Sequence, residues 1–488
     1  MREEVLRMEH IFCMEDGAVK LNYLSIQIFR GEIYGILCLE SQGIDKLVEL
    51  ICWNRSLDNG QVFFEEKLVN SVQESRNTRN KVTVVGRHSR LIDGMTLADN
   101  LFVMREGFQK YVIPERAVQT ETVNVLKKYG IQLSPKTLVK DLGNYDRLVL
   151  EVLKSVIAGD SLTILWEISD LLSAEELPRF HSLISRLAAH GSTFLYIYSH
   201  HEVLRPVCDR IAIFKESTIQ KVLTVQSTVR EQIQQVFARY CYEKFIKIRN
   251  DMEEKPRGPE VLRLFQVASG NIEELSFTIA KGENVLLLDQ SNTILDDLTE
   301  LLLGKEKPQR GRIFPVPSSG TRGKRIAVIQ RNPVSSTLFP ELSYLENLCF
   351  PLAEKIPCFW QRPKLQRSVL REYRDEIGPV IEAGNLYNLT QKELYTLVYY
   401  RYLISKPDVV VCVQPLSDLD MYLRSYVGEL MGRLHKSGIA VLMLNTELYD
   451  SLYIADRLIQ VKHGRIIGEY TRAEFDEIKL MQTVIFPD

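Results

Sequence analysis

Residues 31–50 read GEIYGILCLESQGIDKLVEL. The pattern predicts a short buried strand over 33–39, a tight turn, and a helix that opens near Ile44. A strand, a turn of small residues and a helix N-terminus make the frame that cradles phosphates, because backbone N–H groups and the helix dipole converge on the anion. A phosphate loop with its full chemistry reads G-x-x-x-x-G-K-[ST]. Here the frame is filled by Cys38, Leu39, Glu40, Ser41, Gln42, Gly43, Ile44 and Asp45. One glycine is kept and the lysine is absent. The spacing is that of a nucleotide site, without the residue types that do its chemistry.

The elements that must position this loop occur twice. Asn100-Leu101 returns as Asn347-Leu348, Leu142 as Leu389, Glu167 as Gln414, Gly191 as Gly438, and Asp209-Arg210 as Asp456-Arg457. All share an offset of 247 residues (347 − 100, 456 − 209), and Gly31-Glu32 returns as Gly282-Glu283 at an offset of 251. A constant offset sustained over roughly a hundred residues marks two copies of one domain. In each copy a strand (34–39 or 284–288) leads into the loop, and a second strand follows (81–85 or 325–329). A variable helical stretch comes next (118–129 or 366–383), then a helix leading into an apolar strand (148–158 into 162–165, or 394–404 into 409–413). A further helix, with Gly191 or Gly438 as its C-terminal cap, leads to a strand at 193–198 or 440–444. Near-continuous apolar strands alternating with helices predict an α/β fold with a parallel sheet covered on both faces. The charged, poorly periodic segment 243–259 is expected to be an exposed linker. The expected domains are therefore 1–245 and 263–488, with 246–262 between them.

A chain of 488 residues is long for one core. Its 45% hydrophobic and 25% charged content is that of an ordinary soluble globular protein. The 61 basic and 63 acidic residues, net −2, argue against a basic nucleic-acid-binding face, so no nucleic-acid partner is expected. No apolar run approaches the ~18 residues of a membrane span, and the opening MREEVLRMEH lacks the apolar core of a signal peptide. Membrane insertion is not expected. The eight cysteines show no C-x-x-C pair, which points to reduced thiols in a cytoplasm, with no zinc or other metal site.

Several phrases carry a resemblance over nearly the whole chain. LTILWEISDLLSAEE resembles a Walker B strand and its following helix, and LYIYSHHEVLRPVCDRIAIFKES a switch-histidine strand. VLMLNTELYDSLYIADRLIQVKHGRIIGE resembles the second-half version of that strand, while MTLADNLF and LSYLENL resemble the segment after a Q-loop. Together the chain resembles a degenerate member of the tandem ATP-binding subunits of ABC-type carbohydrate importers of the ribose/galactose type. The resemblance implies two ABC-type, P-loop NTPase-like domains in tandem, each with a helical subdomain. It also implies a head-to-tail arrangement in which each copy's loop (38–45 or 289–296) faces the other's signature segment.

The same resemblance assigns roles. The phosphate lysine and the Mg²⁺-binding Ser/Thr fall at Ile44 and Asp45 in copy one, and at Leu295 and Asp296 in copy two. Loss of a cation about 4 Å from a phosphate forfeits on the order of 4 kcal/mol at an effective dielectric near 20. Ser41, Gln42, Gly43, Ile44 and Asp45 thus form a degenerate phosphate loop. The Walker B aspartate is Trp166 in copy one and Val413 in copy two, and the catalytic glutamate is Glu167 and Gln414. The signature LSGGQ reads Leu142-Gly143-Asn144-Tyr145-Asp146 and Leu389-Thr390-Gln391-Lys392-Glu393, placing Tyr145 and Lys392 where backbone should approach a ligand. The Q-loop glutamine falls at Arg87 and near Gln330, the switch histidine at Ser199 (beside His200) and Thr446, and the adenine-stacking aromatic at Glu15.

Each of these positions has a plainer reading. Glu167 is either a retained general base or a leftover strand-end carboxylate; the missing lysine and metal ligand favour the second. His200 and His201 are a switch or a solvent-facing pair. Lys392 is expected as a solvated loop lysine, Trp166 as a mostly buried packing residue, and Asp209 and Asp456 as fold residues. The expected protein is a pseudo-ATPase of the importer type that needs no cofactor and acts as a scaffold or regulator in carbohydrate uptake or sensing. The alternative is an importer subunit that binds ATP/Mg weakly. Expected partners are a permease or a sugar-sensing protein, with a place in the cytoplasm or peripheral to the inner membrane face.

Overall fold

Why β-strands form here is visible in how side chains are buried. Ile33–Cys38 and Phe194–Tyr198 are buried at every position, as central parallel strands must be when helices cover both faces. The computed structural model describes residues 3–15, 17–73, 78–86, 89–102, 115–173, 175–224, 243–251, 258–315, 325–353, 362–417, 419–448 and 450–475. Two compact units meet in the chain between Gln235 and Val236.

The first unit holds β1 (Glu4–Glu15), β2 (Ala18–Phe29), β3 (Ile33–Cys38), β4 (Asn59–Phe64), β5 (Lys67–Ser71), β6 (Val82–Val85), β7 (Leu162–Trp166), β8 (Phe194–Tyr198), β9 (Arg210–Lys215) and β10 (Thr218–Thr224). Four of these form an antiparallel sheet in the order β2-β1-β4-β5, and six form a mostly parallel sheet in the order β10-β9-β3-β8-β7-β6. The antiparallel sheet, absent from the sequence reading, packs its alternating apolar face with the helix Ile44–Cys52 onto β3, β7, β8 and β9.

The second unit repeats this plan with β11 (Glu260–Ser269), β12 (Ile272–Ala280), β13 (Asn284–Asp289), β14 (Arg310–Phe314), β15 (Ile326–Ile329), β16 (Val409–Val413), β17 (Ala440–Asn445), β18 (Arg457–Lys462) and β19 (Arg465–Thr471). A single parallel pairing, Glu274 with Arg465, joins its two sheets into nine strands ordered β14-β11-β12-β19-β18-β13-β17-β16-β15.

The residues that repeat in sequence are each other's partners in space. The buried Glu32 accepts the Phe29 N–H at 2.9 Å and pairs with Arg210, and Glu283 accepts the Ala280 N–H at 2.8 Å and pairs with Arg457. Asp209 and Asp456 each accept the first N–H of the loop-bearing strand, from Ile33 and Asn284, both at 2.9 Å. They are fold residues, as expected. The fully buried Asn100 and Asn347 both bind N–H and C=O of one residue eight positions upstream, Ile92 and Phe339. Gly191 and Gly438 follow their helices at φ 96° and 77°, the left-handed cap position.

One expectation is corrected. Within the expected linker, Glu243–Asp251 is a helix, and its Phe245 and Ile248 are buried in the core of the second unit against Gly428 and Ile454. These two apolar residues lie three apart, enough for one stripe on an otherwise charged helix. The exposed-linker reading of 243–251 therefore fails, and the unit boundary lies ten residues earlier than the expected end of the first domain.

Candidate functional site

In a parallel sheet, loops at the carboxyl ends of neighbouring strands gather at one edge. The order β9-β3-β8-β7-β6 places, in turn from the loop after β3, Ser199–His200 after β8, Trp166–Glu167 at the end of β7, and Gly86 after β6. Arg87 and His88 lie outside the described residues. In the second unit β13, β17, β16 and β15 place Asp289, Thr446, Gln414 and Gln330 in the same order.

The first loop runs from Cys38 to Gly43, and the helix starts at Ile44. Gly43 has φ 90°, and a Cβ there would sit 2.1 Å from the Lys20 carbonyl oxygen, so the surviving glycine is a steric necessity. Ile44 is turned into the core and only 2% exposed. Its amide, which a phosphate would otherwise engage, donates to the Ser41 carbonyl at 3.2 Å. Gln42 donates to the Val19 carbonyl at 3.3 Å, and the Cys38 thiol lies 2.8 Å from the Glu40 carbonyl. Asp45 is exposed in the first helical turn, where the dipole favours it. Beside the helix lies a pocket of about 400 Å³ lined by Glu15, Lys20, Gly43, Asp45, Lys46 and Glu49. Lys46 is 2.9 Å from Glu49 and 3.7 Å from Glu15. Burial pulls its ammonium pKa down, but the hydrogen bond it donates to Glu49 and the charges of Glu49 and Glu15 outweigh that and raise it. Lys46, one of two lysines beside the loop, is thus already held by acids.

Trp166, the last residue of β7, is partly buried against the first unit's core, as a packing residue is expected to be. Glu167 and Gln414 share an unusual backbone, with φ 52° and 45°, each donating its N–H to the adjacent strand, to Ile197 at 3.0 Å and Leu444 at 2.9 Å. Both units keep the geometry of this corner while differing in its side chain. His200 stands half-buried at the start of a four-residue helix, its ring 5.5 Å from that of Tyr198.

The second loop closes differently. Asp289, fully buried, accepts N–H groups from Ser291 at 3.1 Å, Thr293 at 2.7 Å and Ile294 at 2.8 Å. A carboxylate of the chain itself thus sits where loop amides converge. The reading of the residues did not foresee this. The available signal was an aspartate followed by Gln-Ser-Asn-Thr, the residue types that bond local backbone. Leu295, the first residue of the helix, is buried in the core. Gln414 donates to the Thr446 hydroxyl at 3.2 Å, both residues being buried, so the positions matching a catalytic glutamate and a switch histidine bind one another.

At the signature segments, Asn144 and Gln391 begin 15-residue helices. Tyr145 lies under the Arg179 guanidinium at 4.7 Å. Thr390 and Glu393 form a capping box, with the Glu393 carboxylate 2.7 Å from the Thr390 N–H. Lys392 is exposed, its ammonium 4.6 Å from the Tyr426 ring. It is solvent-exposed, as expected, with a cation–π contact in addition.

No protein-family model matches the chain. Its similarity to curated proteins spans their whole length. The chain is 21% identical over 492 residues to the ribose import ATP-binding protein RbsA of Caldanaerobacter subterraneus, covering 98% of both chains. It is 22% identical over 494 residues to RbsA of Bacillus licheniformis, again at 98% of both. Among solved structures it matches the RNase-L inhibitor with a TM-score of 0.61 over 97% of this chain and 93% of that one, at 15% identity. A ribosome-bound archaeal ABCE1 matches with a TM-score of 0.62 over 98% of this chain and 80% of that one, also at 15% identity. Those structural likenesses carry the fold, two ABC-type domains in one chain, and the sequence carries the rest: along its full length the chain is a homologue of the tandem ATP-binding subunits of ABC-type sugar importers.

Proposed function

We propose that the chain is a sugar-importer-type ATP-binding subunit that no longer hydrolyses ATP and acts as a scaffold or regulator in carbohydrate uptake or sensing. One observation carries the reading: both phosphate-loop helices open on an aliphatic side chain packed in the core, Ile44 and Leu295. A nucleotide's β/γ-phosphates need a cation at that point, and an aliphatic group buried there offers neither charge nor a free approach. Trp166 and Val413 supply no hard oxygen for Mg²⁺ where the Walker B carboxylate would stand. Glu167 and His200 then remain as corner residues of the fold. Among the described residues no helix is long and apolar enough to cross a membrane. The chain's place is at the cytoplasmic face beside a permease or sugar-sensing partner.

A second reading, a subunit that binds ATP/Mg weakly and couples it to transport, has support of its own. The relatives are named as ATP-binding proteins, and the pocket beside Gly43 and Lys46 is open. ATP titration of the whole protein, with and without Mg²⁺, and phosphate release separate the two. The proposal expects no saturable ATP binding and no Mg²⁺-dependent release, and expects Ile44→Lys to gain neither. Phosphate release that scales with protein and vanishes in Glu167→Gln, or tight ATP binding by Ile44→Lys, overturns it in favour of the second reading.

A further inference from the structure

In the second unit a phosphate loop is closed around an anion that belongs to the chain. We infer that Asp289 is an internal substitute for phosphate: its carboxylate takes the amides of Ser291, Thr293 and Ile294, holds the second loop in a liganded shape, and excludes phosphate-bearing ligands from it. Three features support this. The carboxylate is fully buried at the end of β13, and an ionised group is stable there only when hydrogen bonds replace its water. Its three donors are loop amides within four residues, two of them immediately before the helix Leu295–Leu302, where the dipole adds to the attraction. The first unit has Cys38 at the equivalent position, a thiol 2.8 Å from the Glu40 carbonyl where the second unit has a carboxylate. A phosphate entering the second loop would need the same amides and would meet a negative charge already bound to them. The inference concerns this loop only and holds whether or not the first unit binds ATP, so its failure and the failure of the functional proposal are separable.

Hydrogen exchange of the whole chain, read at the Thr293 and Ile294 amides relative to the β13 strand amides, tests it. In the wild type these amides are protected, and inorganic phosphate at millimolar concentration changes nothing against chloride of equal ionic strength. Asp289→Asn, which keeps the shape and removes the charge, loses about tenfold in protection, the difference between charged and neutral hydrogen bonds. Asp289→Gly loses more and regains protection with phosphate. If Asp289→Gly does not fold, the Asn variant decides. Unchanged protection in Asp289→Asn, or a phosphate response in the wild type, overturns the inference.

Discussion

At the scale of single residues, function depends on which group sits at a convergence of amides or at the end of a buried strand. Ile44 and Leu295 turn the first residue of each loop helix into a core contact, worth roughly 1.5–3 kcal/mol of burial apiece. A lysine there would carry its charge into that core, so single reversions act against stability before they act on binding. His181, on the helix Glu176–Ala189, shows how strongly this interior disfavours charge. Among the described residues neither ring nitrogen has a hydrogen-bond partner, the ring packs edge-on to Tyr196, and burial lowers its pKa to about 4. Above pH 6.5 the ring is neutral in both folded and unfolded chains. As pH falls, the unfolded ring takes up a proton that the folded ring refuses until about pH 4, so stability drops across that window. The loss amounts to about 3 kcal/mol. In urea unfolding at pH 7, 5.5 and 4.5, His181→Leu is expected to flatten the fall for the first unit; an unchanged slope would refute the assignment.

At the scale of elements, steric and backbone requirements fix the strand–loop–helix units independently of the chemistry their loops carry. Gly43 stands where a Cβ would strike the Lys20 carbonyl, while Cys38 and Ser41 carry side chains elsewhere in the same loop. The paired corners at Glu167 and Gln414, held by the same cross-strand hydrogen bond, obey the same logic. Gly43→Ala combines the overlap with a positive φ and should destabilise by about 2 kcal/mol or more. Gly159→Ala, at φ 72° with nothing within 4 Å of a new Cβ, should cost about 1 kcal/mol. Equal melting shifts for the two variants would show that the Lys20 contact is not what preserves Gly43.

At the scale of the whole molecule, what the chain presents to a partner is separate from what it does to a nucleotide. A permease or sensor is expected to dock within 87–129 or 330–377. In the second of these ranges Phe339 and Phe350, 43% and 44% exposed with ring centroids 4.9 Å apart, form an apolar pair capped by Arg401 at 5.6 Å from the Phe350 ring. Losing such a pair from an interface weakens binding by about tenfold or more. Phe339→Asp with Phe350→Asp should therefore release a co-purifying permease while leaving the fold intact by circular dichroism. Crosslinks confined to 243–259 or to the C-terminal segment would refute this docking surface.

The sequence by itself determined the repeat, the alternation of helix and strand, and the phosphate-loop frame with its missing lysine. These are properties of local periodicity and of residue identity at fixed spacing: a strand buried on both faces must be apolar throughout, as β3 and β16 are. Residues repeated between the copies, such as Glu32 and Glu283 with Arg210 and Arg457, proved to be mutual contacts of the scaffold. Tertiary structure decided the rest. The antiparallel sheets pair through several register shifts, which blur the two-residue period that would have announced them. Phe245 and Ile248 make a helix of a charged segment only because the second unit offers them a core. Asp289 could be read as a loop aspartate, but its capture of three amides depends on where the strand end and the helix start meet in space, and no spacing along the chain encodes that distance.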